Sequence, residues 1–331
     1  MVVARVRIPW LAFPSHCKRK GKQGKKSCFM SFRSVTSDKV HHRQLPAEFA
    51  GQSKTICGSS AGFLIMRDEI SEEITMIDPI SKTHFRVPPL ICCSTDSLDD
   101  DLVLKAVLST PPDCNPYGFV LMAIYGEKRE LAYYKAGSKT WTKLDEAGSY
   151  LDDVICYKGD FYAVNEYGKV LLIYQPDSDS DSDPNPLMVE EIAPPWLLRG
   201  SKVYLVVMAG YLCAIVRFLK DSPNPTLGYE TRKFELFMVD EFRNWTRFGI
   251  ANDWAFFLGQ NESTALSVED FKGLKASCIY FTDDNWESYK FGIVGGHDSG
   301  VFDMAEECFH PLQSSHQDWQ KPFWFLPDDV R

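Results

Sequence analysis

Leu131-Ala-Tyr-Tyr is followed by a polar turn and then by Thr140-Trp141-Thr142-Lys143-Leu144. Further along, Leu236-Phe-Met-Val is followed by a polar turn and then by Asn244-Trp245-Thr246-Arg247-Phe248. Each is a β-prone run, a turn and a returning strand led by Trp-Thr, which is the pattern of an antiparallel hairpin. A degenerate third copy runs from Ile74-Thr-Met-Ile-Asp-Pro through Ser81-Lys82 to His84-Phe-Arg-Val-Pro. The strand ahead of each pair recurs too: Gly62-Phe-Leu-Ile-Met, Gly159-Asp-Phe-Tyr-Ala-Val, Gly210-Tyr-Leu-Cys-Ala-Ile-Val and Ser277-Cys-Ile-Tyr-Phe. Matching points lie about 50–100 residues apart, and the shortest intervals approach the period of a four-stranded blade.

Working outward, short runs rich in Val, Ile, Tyr and Phe recur along the whole chain, bounded by Gly, Pro, Asp or Asn, and helical periodicity is scarce. The expected fold is all-β: one β-propeller domain over 1–331, of about six four-stranded blades. Five are expected near 55–90, 100–147, 150–193, 200–250 and 254–312. The remaining strand-like runs, 9–13, 28–32 and 40–45 at the front and 322–326 at the back, would make a last blade closed by N- and C-terminal strands. Radial closure of this kind removes exposed sheet edges. Trp141 and Trp245 are expected inside, where truncating either ring to Ala would cost roughly 3–5 kcal/mol. Two insertions are expected as loops, a basic one at 18–27 and an acidic one at 177–186; a further acidic loop is expected at 96–101.

The chain has 331 residues, a net charge of −9, and hydrophobic and aromatic contents of 44% and 13%. That supports a large core and argues against disorder and against general nucleic-acid affinity. Residues 1–37 hold nine Lys or Arg and no acid, so the remainder carries twice the net charge of the whole chain. Solvated basic loop is the plainer reading of Lys18, Arg19, Lys20, Lys22, Lys25 and Lys26; targeting is the other. The ten cysteines sit mostly in apolar runs with no C-x-x-C pair, as free thiols in a reducing compartment would. No apolar run is long enough to span a bilayer; the longest, near 203–219, is broken by Gly210 and Arg217. The sequons at Asn244 and Asn261 are read as chance matches.

Several groupings carry residue types used in catalysis or metal binding, and each has a structural reading that outweighs the chemical one. His41-His42 are strand neighbours, which point to opposite faces and do not share an ion. His297-Asp298-Ser299-Gly300 holds the residue types of a hydrolytic triad, yet consecutive residues in a turn cannot form the relay. The Asp177/Asp179/Asp181/Asp183 ladder has Ser182 and Met188 where a calcium loop needs Gly and Glu. The run Gly292-Ile-Val-Gly295-Gly296 has no Lys-Ser/Thr after it, which a phosphate loop requires. Asp152-Asp153 and Asp283-Asp284 are read as turn residues. No catalytic, cofactor-binding or metal-ligating residue is therefore assigned, and the chain is expected not to be an enzyme and to need no cofactor.

Segments across the chain resemble a known family. They are Gly58-Ser-Ser-Ala-Gly-Phe-Leu64, Asp78-Pro, Val87-Pro-Pro-Leu, and Asp152-Asp-Val-Ile-Cys-Tyr-Lys-Gly-Asp-Phe-Tyr-Ala-Val. Phe257-Leu-Gly-Gln-Asn, Gly273-Leu-Lys-Ala-Ser-Cys-Ile-Tyr-Phe-Thr-Asp-Asp, Gly300-Val-Phe-Asp-Met and Pro322-Phe-Trp-Phe extend the match. The chain is similar to the plant KIB-type β-propellers, an F-box-associated, kelch-like domain, over nearly its whole length from about Pro9. The resemblance implies a propeller that binds substrate proteins for a ubiquitin ligase, docked to the scaffold through an F-box. Leu45-Pro-Ala-Glu-Phe mimics an F-box opening, but Gly51, Gly58 and a strand follow it, so no F-box domain is expected and scaffold binding is doubtful.

The expected function is a non-catalytic protein-interaction module whose partner is a protein of unknown identity, with no nucleic-acid or membrane partner. Binding is expected on the loop-rich faces of the disc. The expected location is cytoplasmic and/or nuclear. Two alternatives are an organelle-targeted propeller, mitochondrial or chloroplast, and a propeller-type hydrolase. The latter would need His and carboxylates converging on the central channel.

Overall fold

The computed structural model describes residues 9–20, 25–37, 39–46, 49, 54–90, 102–176, 186–195, 200–285, 295–312 and 321–327, and no side chain between 14 and 28. The chain opens with β1 (Trp10–Lys20), β2 (Lys25–Ser34) and β3 (Val40–Gln44). Blade one is β4 (Lys54–Ser60), β5 (Phe63–Asp68), β6 (Ile74–Ile77) and β7 (His84–Val87). Blade two is β8 (Val103–Leu108), β9 (Val120–Tyr125), β10 (Glu130–Lys135) and β11 (Thr142–Lys143). Blade three is β12 (Leu151–Tyr157), β13 (Asp160–Asn165), β14 (Val170–Tyr174) and β15 (Met188–Ala193). Blade four is β16 (Lys202–Met208), β17 (Tyr211–Asp221), β18 (Tyr229–Val239) and β19 (Trp245–Phe248). Blade five is β20 (Trp254–Leu258), β21 (Thr264–Ser267), β22 (Cys278–Phe281), β23 (Gly300–Asp303) and β24 (Cys308–Pro311).

The last strand, β25 (Phe323–Phe325), pairs antiparallel with β1, placing Trp10 opposite Phe325 and Ala12 opposite Phe323. Blade six therefore has the order β25-β1-β2-β3, and the two ends of the chain share one sheet, as expected. Phe32 packs 5.4 Å from Phe325 between ring centroids.

Six apolar clusters lie at the six seams between successive blades, and the alternation of the strands explains why. In β10, Ala132 and Tyr134 point into the seam with blade one, while Leu131 and Tyr133 point into the seam with blade three. Side chains two apart share a face, so a strand flanked on both sides feeds two cores at once. The ring closes with Phe32, Met66 and Phe325 in the seam of blades six and one, and with Leu11, Phe257 and Trp324 in that of blades five and six. A fully buried Phe contributes on the order of 1.5–3 kcal/mol of transfer free energy.

Three hairpins between innermost and second strands turn through a residue pair with positive φ: Ala61-Gly62, Lys158-Gly159 and Ala209-Gly210. Two consecutive positive φ values make the tight turn whose twist matches paired strands, and glycine adopts the second without strain. This turn is the physical content of the glycine-led repeat in the sequence.

The structure departs from expectation in four places. Blade five has five strands in the order β21-β20-β22-β23-β24, with β20 and β22 parallel, whereas the other five blades have four. Much of the expected basic loop 18–27 is instead a ladder, pairing Lys18 with Ser27, Arg19 with Lys26 and Lys20 with Lys25. Such pairing is made by main-chain groups and does not require apolar side chains. Trp141 and Trp245 are half-buried, because each lies at the outermost strand of its blade. Asp152-Asp153 are not turn residues but sit inside β12. The acidic segments 96–101 and 177–185 lie outside the described residues.

Candidate interaction face

The fifth strand of blade five has a consequence at the axis. The link between β20 and β21, residues 259–263, crosses to the innermost strands of three other blades. Glu262 donates its backbone N–H to Ser59 O at 2.9 Å and accepts from Ser60 Oγ at 2.8 Å and Cys156 N at 3.0 Å. Lys105 on β8 donates to Gly259 O and Ser263 Oγ, both at 3.3 Å, and forms an ion pair with Asp153 on β12. Asp153 also accepts from Ser263 Oγ at 2.7 Å and from Leu205 N on β16 at 2.9 Å. Gln260 donates to Leu104 O at 3.2 Å. A single segment thus ties blades one, two and three to blade five, and Asp153 extends the tie to blade four.

Asp152, at an irregularity in the β12–β13 register, ties the same neighbouring blades a second time. It pairs with Arg129, which also holds Glu166 at 2.5 Å, and it accepts from Val203 N at 2.9 Å. Burial pushes the Asp152 carboxyl up to about 6, against the pull of Arg129 and Lys202. The adjacent carboxylates read from sequence as turn residues are in fact two inter-blade ties, each joining a cation of blade two to a backbone N–H of β16.

A second buried network surrounds Arg217, which is 1% exposed. Its guanidinium donates to Asp298 Oδ2 at 2.7 Å, Asp284 Oδ1 at 3.2 Å, Thr231 Oγ1 at 2.8 Å and the Tyr204 hydroxyl at 3.2 Å. Asp284 also takes Lys202 at 2.6 Å, and these cations hold its carboxyl below the ordinary range although burial opposes them. Asp283 accepts from the Tyr229 hydroxyl at 2.7 Å and Gly296 N at 2.7 Å. The segment His297-Asp298-Ser299 sends its three side chains to different partners: Tyr229 O for His297, Arg217 and Thr231 for Asp298, and Asp283 N for Ser299. His297 Nδ1 also lies 3.6 Å from Asp283 Oδ2. His41 stacks on Trp10, while His42 meets Ser31 Oγ, so the pair diverges as strand geometry requires. Asn261 is buried, with its amide donating to Phe257 O and Glu262 O. Residues 286–294, which include the start of the glycine-rich run, lie outside the described residues.

The turns from innermost to second strands gather on one face around the axis. Cys156 Sγ lies 3.5 Å from Ser109 O, linking the end of β12 to the β8–β9 loop, and Gly210 abuts the Tyr157 hydroxyl. These neighbouring turns carry Tyr117, Tyr157 and Tyr211; Tyr117 is 91% exposed and Tyr211 59%. Lys158 stands 5.1 Å over the Tyr157 ring. The long β8–β9 loop is ordered from within: Cys114 N and Asn115 N both donate to Pro111 O at 3.2 Å. Beside the Ala61-Gly62 turn, a narrow recess is lined by Ser59, Asn261, Phe257 and Trp324. Ser59 Oγ, Asn261 Oδ1 and Trp324 Nε1 are buried with no protein hydrogen-bond partner. Sequence reasoning left the anchors unassigned, because only closure of the ring shows which tyrosines share a face.

These features define a closed six-bladed propeller with a filled polar axis and an arc of tyrosines on the innermost turns of one face. The KIB1-4 beta-propeller family model matches residues 29–303, and the chain belongs to that family. The Arabidopsis thaliana F-box protein SKIP23 is 22% identical over 311 residues, covering 81% of this chain and 74% of its own. At5g55150 of the same plant, whose name carries the term F-box, is 26% identical over 85% of this chain and 77% of its own. At5g24040, whose name carries the term F-box/kelch-repeat, is 26% identical over 46% of this chain and 40% of its own. No helix among the described residues is long and apolar enough to cross a membrane.

Proposed function

We propose that this chain is a non-catalytic protein-interaction module that reads its partner through the face bearing Tyr117, Tyr157 and Tyr211. The observation that carries the reading is that arc of tyrosines on adjacent turns, with Tyr117 and Tyr211 exposed and Tyr157 half-buried between them. Tyrosine supplies large, stiff contact area with a polar tip and is enriched at interface hot spots. The recess beside Ala61-Gly62 opens among these turns and offers buried polar groups to an inserted side chain. F-box in the relatives' names is consistent with a propeller that selects proteins. What favours binding over hydrolysis is that the axial acids Asp153 and Glu262 already bond groups on the surrounding blades. The proposed compartment is the cytosol or nucleus; Cys57, Cys114, Cys156, Cys213, Cys278 and Cys308 are free thiols, as a reducing milieu keeps them.

A photo-crosslinking residue placed singly at Tyr117, Tyr157 and Tyr211, and at Ile70 and Tyr167 on the opposite face, tests the reading in a plant extract. One shared protein captured from the first three positions and not from the last two is expected. Capture of that protein from Ile70 and Tyr167 instead, or of no common protein from the tyrosine arc, refutes it.

A further inference from the structure

At the outer edge of blade five, Glu306, Cys308 and His310 bring one carboxylate oxygen, one thiol sulfur and one imidazole nitrogen together. The three donor atoms lie within 4.8 Å of one another, with Cys308 Sγ 3.5 Å from Glu306 Oε2 and 3.3 Å from His310 Nε2. The sequence explains the convergence. Cys308 and His310 are two apart on β24 and so point to the same face. Glu306 is carried to them by the tight β23–β24 turn, in which Asp303 accepts from Ala305 N at 2.9 Å and Glu306 N at 3.1 Å. Glu307 adopts a φ of 48°, which swings the chain back into β24. Asp303 is fixed in turn by Lys275 at 2.5 Å, so the turn is braced from a second segment.

The two edges from sulfur, 3.5 and 3.3 Å, have the dimensions of a metal tetrahedron. With Zn–S near 2.3 Å and Zn–N or Zn–O near 2.0–2.1 Å, the edges of a tetrahedral zinc site from sulfur to nitrogen or oxygen are about 3.5 Å. Thiolate, imidazole and carboxylate together are the donor set that suits a borderline-soft divalent ion rather than magnesium or calcium. Without metal, the Cys308 thiol donates to Glu306 and can accept from a His310 Nε2–H, so the same three groups hold one another in place through hydrogen bonds.

We propose that Glu306, Cys308 and His310 form a solvent-facing zinc site with three protein donors and a fourth position open to water or to a donor from a partner. Binding converts the Cys308 thiol to a zinc-bound thiolate, and its proton passes to solvent. No oxidation or reduction is involved. The site lies on the outer edge of the ring and is independent of the tyrosine face.

The test is a titration of the purified full chain with cobalt(II), a spectroscopic stand-in for zinc, alongside Cys308→Ser and His310→Ala. One equivalent should bind with a thiolate-to-cobalt charge-transfer band and tetrahedral d–d absorption, and zinc should displace it. Cys308→Ser should abolish the charge-transfer band, and His310→Ala should weaken binding by at least about 10-fold, a loss that even an outer-shell change can cause. Absence of the band in the unmodified chain, or a band that persists unchanged in both variants, overturns the proposal. The circular dichroism of both variants should match the parent, because these side chains are on an edge strand and outside the apolar seams.

Discussion

Replacing Lys105 by Met tests the axial network directly. Lys105 is 4% exposed; its ammonium neutralises Asp153 and donates to Gly259 O and Ser263 Oγ. The methionine stem fills the space of the lysine stem, so little cavity is created; the loss is electrostatic. Asp153 keeps its bonds from Leu205 N and Ser263 Oγ but loses its buried counter-charge. Removing one member of a buried ion pair costs about 3–5 kcal/mol. Asp153→Asn should cost less, about 2–3 kcal/mol, since an amide oxygen still accepts from Leu205 while the lysine is left unpaired. The double variant should be more stable than the sum of the single losses predicts, with a coupling of about 1–3 kcal/mol. Urea unfolding at neutral pH, followed by tryptophan fluorescence, measures all four corners of the cycle. A Lys105→Met midpoint within about 0.5 kcal/mol of the parent, or strict additivity in the double variant, would show that the axial ties carry no stability.

Three further outcomes follow from other parts of the ring. Gly58 lies where a Cβ would meet Ala106 O at 2.4 Å, so Gly58→Ala forces β4 and β8 apart and should destabilise by about 1–3 kcal/mol in the same assay. Trp324 is fully buried between Phe257 and Tyr280, whereas Trp141 is half-buried with Nε1 bonded to Pro88 O at 2.9 Å; Trp324→Ala should cost about 3–5 kcal/mol and Trp141→Ala about half that. Asp152 has a folded pKa of about 6, above its unfolded value, so its contribution to stability is greatest below about pH 4 and is lost as pH rises through 6. Asp152→Asn should therefore flatten the stability profile between about pH 4 and 6 relative to the parent, as read by denaturant midpoints across that range.

The blades were legible because their information is local. Alternating apolar residues, turn glycines and the repeated Trp-Thr strand each declare themselves within a few residues, and their boundaries in the structure fall within a few residues of those expected. The axial network was illegible for the opposite reason. Ser60, Lys105, Asp153 and Glu262 are unremarkable in their own neighbourhoods and meet only when four blades close. Arg217 read as an interruption of an apolar run, yet it is the hub of a buried network with Asp284 and Asp298. The segments that carry the family resemblance supply many of these meeting points: Gly58 and Ser59-Ser60, Asp152-Asp153, residues 257–261, Asp283-Asp284 and Trp324. That resemblance marked them as a set before the geometry gave them a role. Cys308 and His310 alternate on one strand and Glu306 joins them from the preceding turn, a grouping that a search for Cys-x-x-Cys pairs passes over.

The hairpin loop that crosses the axis belongs to the fifth blade, and its anchor points belong to the first three. A polypeptide emerging from the ribosome therefore exposes Lys105 and Asp153 long before residues 259–263 exist to satisfy them, and Trp10–Ala12 wait longer still for Phe323–Phe325. The early blades carry uncovered seams until Phe323–Phe325 are made, and apolar surface exposed in that way is prone to association. Termination before residue 259 yields a product open at both its hub and its rim, and termination between 264 and 322 leaves the rim alone unclosed.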